Sequence, residues 1–125
     1  VATITPTLVR VNDNTIRFTY TPMLNTDVGA PIGANHADFT DRGVSVRGTF
    51  GAGGNCQIQG SDDNGSNYSG LNDAQGTILD ITTAKREQIL EVPELTRPNI
   101  TAGDGATSLT VVITVHRPRS GAEPG

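Results

Sequence analysis

The clearest pattern along the chain is alternation. Over residues 108–116, Leu109, Val111, Ile113 and Val115 point one way, and Thr110, Val112, Thr114 and His116 the other. A period of two with β-branched residues marks a half-buried strand, because successive side chains leave a strand on opposite faces. The same period recurs upstream. Ile16, Phe18 and Tyr20 alternate with Thr15, Arg17 and Thr19, while Val44, Val46 and Phe50 alternate with Ser45, Arg47 and Thr49. Cys56 and Ile58 alternate with Gln57 and Gln59, and Leu79 and Ile81 oppose Ile78 and Asp80. One apolar face and one wet face is how antiparallel sheets read.

The spacers carry turn chemistry. Asn12-Asp13-Asn14 sits between two strand candidates, close to a hairpin signal. Residues 51–55 (GAGGN) separate two more, and residues 102–107 (AGDGAT) lead into the last strand. Short strands with such turns predict an all-β fold, an antiparallel β-sandwich of jelly-roll or Ig-like type with little or no helix. The best helix candidate, residues 83–90 (TAKREQIL), reads as a single turn or a charged loop between two strands. Residues 22–42 form the longest stretch without alternation and read as a long loop, a class of segment that is often functional. Residues 119–125 (RSGAEPG) read as a disordered tail. The expected organisation is an N-terminal arm at 1–7, one sandwich domain at 8–118, and that tail.

Composition narrows the function more than the fold. Of 125 residues, 34% are hydrophobic and 15 are glycine; with no tryptophan and five aromatics, the core is expected to be modest. Nine basic residues face thirteen acidic ones, for a net charge of −4. Nucleic-acid binding needs a basic face or stripe, so no nucleic-acid partner is expected. No run of eighteen apolar residues occurs, which excludes a membrane-spanning helix and leaves no membrane partner to expect. The first ten residues have neither the basic segment nor the apolar stretch of a signal peptide. The single cysteine, Cys56, cannot form an internal disulfide and reads as a small core hydrophobe.

Candidate chemistry is sparse. His36-Ala37-Asp38 suggests a base and its orienting carboxylate, but no serine stands in a G-x-S-x-G elbow. A polar loop is the simpler reading. Two histidines and one cysteine are too few for a Cys/His zinc site. Asp62-Asp63-Asn64-Gly65 is calcium-like in composition but lacks the spacing of an EF-hand loop. Asparagine and glycine tolerate positive φ, so it reads as a tight turn. Asn64, Asn67 and Asn99 each begin an N-x-S/T triplet, as expected by chance in a chain this rich in Asn and Thr. Eight of the nine basic residues are arginine, the cation favoured at interfaces. These residues predict no enzyme, no cofactor and no metal.

The order of motifs is more telling. Residues 60–71 read GSDDNGSNYSGL, followed by Asn72-Asp73-Ala74-Gln75-Gly76, Glu91-Val92-Pro93, Arg97-Pro98 and Ala102-Gly103-Asp104-Gly105 before a threonine-rich last strand. This order, over residues 44–118, resembles the small capsid decoration (cement) proteins of tailed bacteriophages. The resemblance implies a structural virion protein on the outer capsid surface, often a homotrimer, that bridges neighbouring capsomers of the major capsid protein. Binding only the assembled shell would stabilise it by mass action. On that reading Thr3, Ile4, Thr5 and Pro6 of the arm would meet the shell, with Met23, Leu24, Val28 and Ile32 as apolar anchors in the long loop. The rival expectation is a carbohydrate-binding or adhesin domain of a phage tail or fibre. Sugar rings favour exposed aromatics, and Tyr20 and Tyr68 are the only tyrosines.

Overall fold

The computed structural model describes residues 2–36 and 38–117. The tail expected at 119–125 lies outside them. Eleven strands are present among the described residues, with no helix: β1 (Thr3–Ile4), β2 (Thr7–Asn12), β3 (Thr15–Leu24), β4 (Val28–Gly29), β5 (Asp41–Thr49), β6 (Asn55–Ser61), β7 (Ser69–Gly70), β8 (Asp80–Ile81), β9 (Lys85–Ile89), β10 (Leu95–Ala102) and β11 (Ser108–His116). One sheet runs β1-β4-β10-β6-β7, with β8 also pairing β6; the second runs β2-β3-β11-β5-β9. Only the β1–β4 pair is parallel. The chain is an all-β sandwich.

The alternating residues line the space between the sheets. Ile16, Phe18, Tyr20, Val44, Val46, Leu109, Val111, Ile113 and Val115 from the second sheet are buried against Cys56, Ile58, Ile81 and Ile100 from the first. Each such isoleucine contributes roughly 1.5–3 kcal/mol by leaving water. Asp13 and Asn14 close the β2–β3 hairpin, as the Asn-Asp-Asn signal suggests. Two of the crossovers between sheets, at 50–54 and 103–107, are tied together. Asp104 accepts N–H groups of Ala52 and Ala106, each at 2.9 Å, and the Thr107 hydroxyl donates to the Phe50 carbonyl at 2.8 Å. Gly51 holds a φ of 73°, and a Cβ there would collide with the Asp104 carboxylate.

Two expectations need correction. Residues 83–90 hold neither helix nor simple loop: Lys85–Ile89 is the edge strand β9, pairing Ile89 with Arg42 and Lys85 with Val46. Sheet pairing and burial of Ile89 override the local helical propensity of KREQ. Residues 22–42 are not one loop either. Strand β3 continues through Pro22 to Leu24 because one extra residue bulges opposite Thr110, where a residue without an N–H is tolerated. β4 then inserts between β1 and β10, and Ile32 is fixed by reciprocal backbone bonds to Thr96, both 2.8 Å.

Candidate functional site

The N-terminal arm is built into the sandwich. β1 lies along β4, with the Val28 N–H donating to the Ala2 carbonyl at 2.9 Å and the Ala30 N–H to that of Ile4 at 2.8 Å. Asp27, itself buried, accepts from the Ala2 N–H at 3.2 Å and the Leu24 N–H at 2.9 Å. Thr5 and Pro6 then carry the chain from the edge of the first sheet to β2, the edge of the second. So short a link places both free edges on one side of the sandwich.

β2 is the longer of these edges. Its six residues, TLVRVN, are all exposed, with Leu8 at 49%, Val9 at 38% and Val11 at 52%. It pairs only with β3, so alternate backbone N–H and C=O groups face outward, which is what an added strand would use. Leu8 and Arg10 stand opposite Phe18 and Ile16 on the core-side face, and Val9 stands opposite Arg17 on the outer face. Val11 is the extra residue in a register shift between Arg10 and Asn12. The aliphatic side chains therefore lie on both faces of one open edge.

The predicted contact residues divide. Thr3 and Thr5 are exposed, and Ile4 and Pro6 are half-buried, Ile4 against the core. Leu24 is 47% exposed and Val28 half-buried. Met23 and Ile32 are corrections, being buried core residues with 0% and 7% exposure that cannot anchor a partner from the surface. The β3 bulge turns Met23 inward, and the bridge to Thr96 draws Ile32 in. Sequence reasoning missed Leu8, Val9 and Val11. Their signal was the absence of clean alternation in a β-prone segment next to a hairpin turn, which marks a strand with no single buried face.

The other candidates have structural roles. His36 sits edge-on to Phe18 and Phe39, with centroids 5.4 and 5.7 Å away. Burial, then the guanidinium groups of Arg10 and Arg42, lower its pKa against a smaller raising effect of Asp38. Asp38 pairs with Arg117 at 3.1 Å, not with the imidazole. Asp63 closes its own turn, accepting from the Ser61 hydroxyl at 2.7 Å, the Asn67 N–H at 2.9 Å and the Asn67 amide at 2.7 Å. These bonds hold its carboxyl down at about 2. Burial pushes the Cys56 thiol up to about 12, so it is a packed side chain and a poor nucleophile at neutral pH. Among the described residues no cluster of three or more His, Cys, Asp or Glu is arranged to hold a metal.

One further concavity lies on the outer face of the second sheet. It is a shallow trough of about 840 Å³ floored by Gly43, Ser45, Val112 and Thr114. Arg86, Gln88, Asp41 and His116 rim it, and Gln75 forms part of a wall. That wall is fixed because Asp73 accepts from the N–H groups of Gln75 at 2.9 Å and Thr77 at 3.0 Å. No family model, curated protein or solved structure matches the chain.

Proposed function

We propose that the chain is a structural virion protein that binds the outside of an assembled phage capsid and bridges neighbouring capsomers. The fold adds a physical basis to the sequence resemblance, namely the open β1–β2 side with Leu8, Val9 and Val11 exposed on an unpaired edge. Such an edge recognises an extended segment by main-chain hydrogen bonds, with side chains on alternate positions setting the specificity. The occupant in this reading is a strand of the major capsid protein, carrying aliphatic residues and a carboxylate for Arg10. Arg10 has no acidic partner within salt-bridge distance among the described residues. The resemblance also implies a homotrimer, which would set three such edges around a shell three-fold.

The test is co-sedimentation with expanded capsids, alongside molar mass by light scattering. The reading expects capsid-bound protein and a trimeric mass. Protein that stays in the supernatant would reject it. The polar trough favours a second reading, a carbohydrate-binding or adhesin domain, because it offers hydrogen-bonding groups of both kinds over a fixed wall. Specific signals on a glycan array, lost in Gln88→Ala, would support that alternative.

A further inference from the structure

We propose that the buried guanidinium of Arg42 forms one wall of a binding site for a small carboxylate anion, in the cleft between residues 33–34 and 92–94. Arg42 is 2% exposed, and its Nε donates to the Phe39 carbonyl at 2.9 Å. Nη1 donates to the Thr96 hydroxyl at 3.1 Å and Nη2 to the His36 carbonyl at 3.4 Å. A guanidinium carries five N–H groups. Three have acceptors among the described residues, and all three acceptors are uncharged. The ion pairs found there are Lys85–Glu87 and Arg117–Asp38, so no described carboxylate lies within 4.0 Å of the Arg42 guanidinium. A buried cation normally keeps a counter-charge, because the low-dielectric interior penalises an isolated one.

The cleft supplies the place for that counter-charge. It is about 220 Å³ and is lined by Gly33, Ala34, Arg42, Val92, Pro93 and Glu94. Gly33 has a φ of 115°, and a Cβ there would stand 3.5 Å from Nη1, 3.6 Å from Nη2 and 2.8 Å from the Glu94 carbonyl. Glycine thus keeps a Cβ away from the end of the guanidinium, where any other residue would place one against it. One N–H on each of Nη1 and Nη2 is without an acceptor among the described residues, and the two oxygens of a planar carboxylate match such a fork. Val92 and Pro93 give the apolar end of a small acid a surface to rest on. The Glu94 carboxylate, whose Oε1 accepts from the Asn64 N–H at 2.9 Å, adds a negative rim that selects against multivalent anions.

The test is a titration of the ¹⁵N-labelled protein at pH 7 with sodium acetate, at constant ionic strength balanced by sodium sulfate. The Gly33 amide and Arg42 Nε resonances should shift together and saturate, with sodium bromide binding more weakly. Glu94→Gln keeps the acceptor for Asn64 but removes the repelling charge, and it should tighten acetate binding about 5-fold. Arg42→Lys keeps a charge without the fork and should abolish saturation; if it does not fold, the Glu94→Gln comparison decides. A non-saturating drift, bromide binding as tight as acetate, or unchanged affinity in Glu94→Gln would overturn the proposal.

Discussion

The second sheet ends in two strands that solve the same problem in opposite ways. β9, at one edge, places Ile89 in the core and sets Glu87 and Lys85 on the same core-side face, paired at 3.5 Å. Inward-facing charge discourages another strand from docking there. The chain beyond β9 is also held by its neighbour. The Leu90 N–H donates to the Asn72 carbonyl at 2.9 Å, and Glu91 accepts from the Asn72 N–H at 2.7 Å and side-chain amide at 2.6 Å. β2, at the other edge, has no buried residue, one charged side chain and three exposed aliphatics. A soluble protein ordinarily blunts such an edge. Guarding one edge and leaving the other open would suit the capsid-binding role proposed above, in which one edge takes one partner.

The largest expected difference between the edges is in stability. Ile89→Ala removes a core side chain and should cost about 2–5 kcal/mol in urea unfolding. Lys85→Val combined with Glu87→Val tests the guard itself. With the charged pair gone, β9 gains an apolar core-side column like an open edge, and light scattering should show association to a mass above the parent's own. A smaller effect concerns the Asn72–Glu91 clamp. The backbone bond from Asn72 comes first among the causes that lower the Glu91 pKa. A lowered folded-state value means the clamp contributes fully above the ordinary glutamate range and is lost as pH falls through the lower folded value. Amide exchange at Leu90, with intrinsic rates corrected, should therefore lose protection on acidification, and Glu91→Gln should flatten that dependence. The smallest effect belongs to β2. Val9→Ala should shift stability by no more than about 0.5 kcal/mol, as is usual for exposed positions, and a larger loss would mean that β2 is part of the core.

The same contrast explains what could be read from the sequence. β11 is legible to the residue because Leu109 to Val115 alternate between a buried face and an outer one, and β3, β5 and β6 carry the same mark. β9 is not legible, since only Ile89 of its five residues is buried and KREQ has good helical propensity. The stretch 22–42 misleads because it shows no alternation, whereas a bulge lets β3 pass through Pro22 and bury Met23. In the arm, Thr3–Ile4 form the edge strand β1, and its place beside β4 and Asp27 depends on contacts 25 residues away that the local sequence does not show. Arg42 was one arginine among eight by sequence. Its burial follows from register, which places it opposite Val115 and Ile89 on the inner face.

The central claim is that the β1–β2 side, and not the β9 side, holds the partner. The direct measurement is capsid co-sedimentation of the parent, of Val9→Lys with Val11→Lys, and of Arg86→Ala with Gln88→Ala. The four substituted positions, Val9, Val11, Arg86 and Gln88, are all exposed, so each protein should remain folded by circular dichroism. The account predicts that the β2 pair loses capsid binding at least about tenfold, since two lysines on an open edge block strand addition, while the β9 pair binds like the parent. Equal binding by all three proteins, or loss confined to the β9 pair, would contradict it.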